Sequence, residues 1–182
     1  MAIKHPLYFL AVLPPPGLQA EVTGFKQYIA DNWGPRHALR SPPHLTLIPP
    51  FAWPHEHFKA LVDGLETFAL KQSPFSIGLK NFQAFPPRVI FIDPLKNSDL
   101  DALFQHLVQF MKETFDWEDA RNRRPFHPHM TIAHRDVPGA LFPEIWSYFR
   151  SKQYERRFLA QAFTLLKLEQ GIWREFRSFA FA

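Results

Sequence analysis

The stretches PHLTLI (residues 43–48) and PHMTIA (residues 128–133) are two copies of one short pattern, Pro-His-aliphatic-Thr-aliphatic. Their histidines, His44 and His129, lie 85 positions apart. With nine His in 182 residues and few Thr, chance predicts only about 0.3 His-x-Thr triplets in the chain. The duplication is therefore well above chance, and the fold is best predicted by working outward from it.

Strand alternation gives each copy two distinct faces. His44 and Thr46 point to one face while the aliphatic residues between and beyond them point to the other, and the same holds for His129 and Thr131. Two such strands facing each other would hold two imidazoles and two hydroxyls in one cleft. An imidazole accepts a proton when neutral and donates one when protonated, both near neutral pH. Threonine hydroxyls can donate to phosphoryl oxygens, so the pattern favours phosphoryl chemistry without a metal.

Apolar periodicity predicts strands and helices interspersed along the whole chain, as in an α+β or α/β protein. Ser98 is predicted to cap one of the helices, and Pro49-Pro50 to end the first motif strand. The predicted strands lie at 7–13, 44–48, 75–85, 88–92 and 129–133, with a closing hairpin around Gly171; the helices carry inner faces at 18–29, 58–68, 100–111 and 145–149.

Composition excludes several classes of protein. There is no cysteine, so disulfides, thiolate zinc sites and cysteine nucleophiles are absent. The apolar run at 7–13 is too short to span a bilayer and lacks signal-peptide features, so a cytoplasmic location without a membrane partner is expected. A net charge of +4 is compatible with an anionic ligand. Arg121, Arg123 and Arg124, just before the second motif, form either a basic patch or a solvated loop.

The segment FHPHMTIAHR (residues 126–135) raises the alternative of a metal site, because it holds three histidines. His134 falls on the opposite strand face from His129, and Pro128 separates His127 from the strand. Ligands on alternating faces do not converge on one ion. The sequence therefore predicts no metal, and His127 and His134 are assigned supporting positions.

The paired HxTx motifs resemble those of the two-histidine phosphoesterases, which include bacterial 2′,5′ RNA ligases and cyclic nucleotide phosphodiesterases. The resemblance extends to the proline-terminated first strand, the stretch FQAFPPRVIFI (residues 82–92) and the motif spacing. It implies one bilobal α+β domain over residues 1–182. Two pseudo-symmetric lobes would each have an antiparallel sheet with flanking helices, and the active groove would lie between the sheets.

The resemblance also implies roles and a substrate. His44 and His129 would be the general acid and base, exchanging roles between hydrolysis and ligation, with Thr46 and Thr131 as phosphate-binding hydroxyls. The substrate would be RNA or a nucleotide with a 2′,3′-cyclic phosphate or a 2′,5′ linkage, and no cofactor would be needed. Relatives often carry Arg directly after the second motif, whereas here His134 precedes Arg135.

The remaining candidates for substrate binding lie at strand ends or beside the motifs. Arginines there could meet phosphates, and aromatic rings could stack a base, with core packing as the competing role of the rings. These candidates are Arg88, Arg135, Phe51, Phe85 and Tyr8. A non-catalytic RNA-binding module using the same groove is the alternative function, and a metal-dependent hydrolase is less favoured. The sequence predicts no oligomeric state.

Overall fold

Two four-stranded antiparallel sheets and four helices make up the computed structural model, which describes residues 5–182. The strands are β1 (Leu7–Val12), β2 (Leu45–Ala52), β3 (Phe75–Phe85), β4 (Val89–Pro94), β5 (Met130–Ala133), β6 (Glu155–Ala160), β7 (Ala162–Glu169) and β8 (Ile172–Ala180). The helices are α1 (Pro16–Trp33), α2 (Phe58–Ala69), α3 (Ser98–Phe115) and α4 (Phe142–Arg150).

The order of elements repeats. The series β1-α1-β2-α2-β3 is followed by β4-α3-β5-α4-β6, and β7 and β8 close the chain. The first sheet has the order β2-β1-β7-β8 and the second the order β5-β4-β3-β6. Each motif strand, β2 or β5, is thus an edge strand paired with the strand that begins its repeat. The predicted α+β class with two antiparallel sheets is confirmed.

Two of the four helices, α1 and α3, cross between the two sheets. Helix α1 follows a strand of the first sheet but packs against β5 of the second, and α3 follows β4 yet packs against β2. Most buried apolar side chains, from both sheets and all four helices, belong to one continuous cluster. No helix in the described part of the chain is long and apolar enough to cross a membrane.

Helix ends follow from local chemistry. Helix α1 buries Leu18, Val22 and Ile29 as predicted, and Gly34 ends it in the left-handed region with φ of 96°. The cap of α3 differs from the prediction. Asn97, not Ser98, adopts the extended conformation, and its carboxamide oxygen accepts the backbone N–H groups of the second and third helical residues.

Strand β2 runs on through Pro49-Pro50 to Ala52, so the predicted end of this strand was wrong. An edge strand tolerates proline because its outward N–H groups have no partner to lose. The pairing with β1 also shifts register here, with Tyr8 opposite Phe51 but Leu10 opposite Ile48. The predicted hairpin around Gly171 is confirmed as β7–β8.

Candidate active site

The two motifs meet at one cavity of about 440 Å³. His44 immediately precedes β2, and His129 immediately precedes β5. Both histidines and both motif threonines, Thr46 and Thr131, line this cavity. The intervening aliphatic residues are buried on the other face of each strand, toward the helices. The structure thus brings together the four side chains that the duplicated pattern singled out.

Each histidine is held by the same hydrogen bond. His44 Nδ1 lies 2.7 Å from the carbonyl oxygen of Pro42, and His129 Nδ1 lies 2.8 Å from that of His127. A carbonyl oxygen only accepts, so Nδ1 carries the proton in both rings. The neutral rings therefore present an unprotonated Nε2, the nitrogen that can accept a proton.

Phenylalanine rings of the neighbouring strands fix the imidazole planes. Phe9 of β1 lies 4.8 Å from His44 between ring centroids. Phe91 of β4 and Phe85 of β3 each lie 5.4 Å from His129. The same arrangement in both halves, a ring on the adjacent strand beside each histidine, leaves one edge of each imidazole for a ligand.

Burial sets the charge state of the site. It lowers the pKa of His44 to about 4, and the nearby positive charge of Lys26 adds to this effect, while the bond to Pro42 opposes it. Burial also lowers the pKa of His129. Both imidazoles are accordingly neutral at pH 7 in the free protein, and an anion bound between them favours their protonated forms.

One end of the cavity is more basic than the sequence indicated. His37 and Arg40, from the short 3-10 helix between α1 and β2, lie there with His134 and Arg135. The rings of His37 and His134 meet edge to face at 4.8 Å. Burial lowers the pKa of His134 to about 4; the positive charges of His37 and Arg135 add to this effect, and the Asp136 carboxylate opposes it. This end of the cavity therefore suits an anionic or polar part of a ligand.

His134 lies on the cavity side, which corrects the expectation that it faces away from His129. Thr131 pairs with Phe91 and Ala133 pairs with Ile90, so β5 has one residue more than β4 at this point. Such a bulge shifts the alternation of side chains beyond it. Arg135 follows with φ of 61° and also lines the cavity.

The other predicted substrate-binding residues lie elsewhere. Tyr8 and Phe51 are buried, and their rings pack against each other in the main core, so they do not border the groove. The reason is the alternation of side chains along β1. Ala11 pairs with Thr46, so Ala11 and Phe9 lie on the face of the sheet that carries Thr46, and Tyr8 lies on the other face. Phe85 is partly exposed beside His129 but does not line the cavity. Arg88 is exposed at the β3–β4 turn, away from it.

Sequence reasoning missed several residues that line the cavity, among them the aromatic and basic side chains of Phe9, His37, Arg40 and Trp173. Phe9 alternates with Tyr8 along β1, so the two rings lie on opposite faces of the sheet. Which of them faces the cavity could be decided only once the pairing of β1 with β2 was known. Trp173 packs edge to face on Phe9 at 4.7 Å from the closing hairpin. Within residues 5–182, no group of three or more His, Cys, Asp or Glu side chains is placed to hold a metal ion.

Comparison of the sequence with known protein families agrees with this arrangement, in which a histidine motif lies on an edge strand of each sheet. The family profile of the 2′-5′ RNA ligase superfamily matches residues 14–172, a range that contains both motifs. The chain belongs to this superfamily, and this membership makes it a phosphoesterase.

Particular relatives agree with this assignment. RNA 2′,3′-cyclic phosphodiesterase of Bacillus subtilis is 32% identical over 130 residues, which cover 69% of this chain and 67% of that protein. Among solved structures, TT0787 of Thermus thermophilus superposes with a TM-score of 0.70 at 21% identity, covering 96% of this chain and 97% of that one. E. coli LigT complexed with 3′-AMP gives a TM-score of 0.64 at 20% identity, over 98% and 99% of the two chains. At these identities the two structures show the shared fold.

Proposed function

We propose that this chain hydrolyses 2′,3′-cyclic phosphates, or makes and breaks 2′,5′ phosphodiester bonds, in RNA or nucleotides. In this proposal His44 and His129 are the general acid and base, and no metal takes part. The observation that carries it is the pair of imidazoles on one cavity, each with Nδ1 bonded to the carbonyl two residues earlier. Each ring therefore has one nitrogen, Nε2, available for proton transfer.

The hydrolytic step balances with these two groups. One neutral imidazole accepts a proton from water as the water oxygen forms a bond to phosphorus. The bond from phosphorus to O3′ breaks, and the other imidazole, protonated, gives its proton to that oxygen, leaving a 2′-phosphate. The Thr46 and Thr131 hydroxyls donate to the non-bridging oxygens, where negative charge gathers. Ligation runs the same transfers with the 5′-hydroxyl of a second strand in place of water, so that a 2′,5′ bond forms as the bond from phosphorus to O3′ breaks. Cleavage of a 2′,5′ bond runs them in reverse, with O3′ attacking phosphorus and O5′ leaving with a proton.

The relatives support the class of substrate. The B. subtilis relative is named for RNA 2′,3′-cyclic phosphate as its substrate. LigT has been crystallised with 3′-AMP, NADP⁺ and ATP, all of which are nucleotides. The basic end of the cavity and the ring of Trp173 offer this chain suitable partners for phosphate and base.

The test is turnover of a 2′,3′-cyclic nucleotide by His44→Ala and His129→Ala, with His106→Ala, an exposed histidine on α3, as the matched control. We expect each motif variant to lose roughly 10²–10⁴-fold in kcat, the control to keep its rate, and EDTA to have no effect on the wild type. Phosphorus NMR identifies the product isomer. Wild-type rates in both motif variants contradict the mechanism, and RNA binding without turnover of any cyclic phosphate favours a binding module instead.

A further inference from the structure

A second cavity, of about 200 Å³, lies next to the first. Thr46 and His129 line both cavities, so the two meet at the catalytic residues. Its walls come from β2 and from the loop 121–127 that leads into β5. A ligand whose phosphate sits between the histidines can therefore extend into either cavity.

The wall of this second cavity has a flat apolar surface. Phe126 stacks on Phe104 of α3, with ring centroids 4.1 Å apart and planes within 5° of parallel. Phe126 is half-buried, and Pro49 and Pro125 line the cavity beside it. An aromatic face backed by a second ring is a suitable platform for a nucleic-acid base.

The loop that forms the wall is fixed in place by its own ion pairs. The Arg121 guanidinium binds the Asp119 carboxylate through two nitrogens and donates to the carbonyl oxygen of Pro50 in β2 at 2.7 Å. Arg123 pairs with Glu118 at 2.9 Å. The Arg121 bond to Pro50 joins the loop to the first sheet, and the two ion pairs fix the shape of the loop itself.

Arg121 and Arg123 of this loop are paired with carboxylates, whereas Arg124 is paired with none that the structure describes. Its exposed side chain lines the second cavity, and in the described part of the chain it forms no ion pair. Asn122 lines the cavity too, and its buried Nδ2 has no hydrogen-bond partner among residues 5–182. An unpaired buried donor costs free energy, and rotation of the amide toward the cavity offers it to a ligand oxygen.

We propose that this second cavity binds the nucleotide next to the reacting phosphate in an RNA strand. The base stacks on Phe126, and the phosphodiester that joins the two nucleotides binds Arg124. This inference rests on the proposed function and narrows it: the substrate is the end of an RNA strand, and a mononucleotide fills only the larger cavity. A positive groove with aromatic platforms is the usual way in which proteins bind single strands.

The experiment compares the kcat/KM values of two substrates, 2′,3′-cyclic AMP and an adenine dinucleotide ending in a 2′,3′-cyclic phosphate. For the wild type we expect the dinucleotide to be favoured about tenfold, the effect of one charge-assisted phosphate contact. Arg124→Ala should remove most of this preference by lowering the dinucleotide value. Arg150→Ala makes the same change of charge at an exposed side chain at the end of α4, outside both cavities, and should keep the preference.

The outcomes separate the two proposals. Equal wild-type values for the two substrates, or an equal effect of Arg124→Ala on both, overturn the second site while leaving the proposed function intact. If the wild type turns over neither substrate, the proposed function fails. The site is then judged by binding of a fluorescent trinucleotide with a 2′-phosphate end. Arg124→Ala should weaken that binding and make the slope of log K against log salt concentration shallower by about 0.7 relative to Arg150→Ala. Identical binding by the two variants overturns the site.

Discussion

Each motif histidine lies just before its strand, and its Nδ1 is bonded to the carbonyl two residues earlier, that of Pro42 for His44 and that of His127 for His129. The bond fixes the tautomer, and a phenylalanine on the neighbouring strand fixes the ring plane. The chemistry of both halves is therefore set by a short local segment, which explains why the sequence pattern alone could locate these two residues. The proline before each histidine was part of that pattern.

The lowered pKa values of these histidines predict an acidic optimum for the free enzyme. Burial lowers the pKa of His44 to about 4 and also lowers that of His129, so the protonated acid is lost at a lower pH than the ordinary 6.5. With 2′,3′-cyclic UMP as the substrate, the kcat/KM profile should peak below pH 6.5. The kcat profile, which reports the complex, should peak at higher pH because the bound phosphate raises both pKa values.

Far-UV circular dichroism at each pH is the control for folding in that experiment. Histidines with unshifted pKa values would place the kcat/KM maximum at or above pH 6.5. That result, or identical profiles for kcat and kcat/KM, contradicts the electrostatic account of the site.

Lys26 of α1 is almost completely buried, with 2% of its surface exposed, and its Nζ donates to the Ser41 carbonyl oxygen at 2.9 Å. Burial lowers its pKa to about 7, far below the ordinary 10.5. A depressed folded-state pKa means that stability is lost as the pH falls from 10.5 toward 7, because only the unfolded chain is fully protonated there. The lysine therefore weakens the fold at neutral pH.

Lys26→Met, which keeps the apolar stem, should raise the free energy of unfolding at pH 7 by at least about 1 kcal/mol, since removing the buried cation outweighs one lost hydrogen bond. The gain should shrink as the pH approaches 10.5. Urea unfolding at a series of pH values measures it, with the exposed Lys71→Met as control. A loss of stability at pH 7, or a gain independent of pH, contradicts the argument.

At the scale of elements, periodic apolar patterns predicted the helices and β3 well, because their buried faces are set by local spacing. Features that depend on pairing between distant strands were not predictable. The extra residue in β5 places His134 on the cavity side. The pairing of β1 with β2 places Phe9, and not Tyr8, in the wall of the cavity. Both outcomes depend on which residue lies opposite in the neighbouring strand, and no local pattern records that.

The segment after β5 is joined to the segment after α1 by one carboxylate. Asp136 Oδ2 accepts the backbone N–H groups of Arg36 and His37 at 2.7 and 2.8 Å. This contact positions His37 against His134 and closes the basic end of the cavity.

Asp136→Ala removes the oxygen that accepts both bonds, and we expect about 1 kcal/mol of lost stability together with a several-fold lower kcat/KM, because the basic wall is no longer held against β5. Asp136→Asn retains an oxygen that can accept both bonds and should keep most of the activity. Thermal unfolding and cyclic-nucleotide turnover measure the two effects. If Asn proves as damaging as Ala, charge and not positioning is the role of this residue.

At the scale of the whole molecule, the two halves exchange one helix each: α1 packs on β5 of the second sheet and α3 on β2 of the first. The closing strands reinforce this exchange, because β6 joins the second sheet and β7 joins the first with only Gln161 between them. We therefore propose that residues 1–182 form one folding unit, as expected for a single two-lobed domain, in which damage to one sheet destabilises the other.

Leu47→Ala tests this cooperativity, because Leu47 is 1% exposed on β2 in the shared core. Such a truncation costs about 2–5 kcal/mol. If the chain unfolds as one unit, hydrogen exchange in the slowest amides of β3 and β4, in the second sheet, should accelerate by the same factor as in β1 and β7. Leu70→Ala, at a side chain 61% exposed, should leave both sheets unchanged. Protection that falls in the first sheet alone would show that the lobes unfold separately, and the shared helices would then be a surface contact and not a common core.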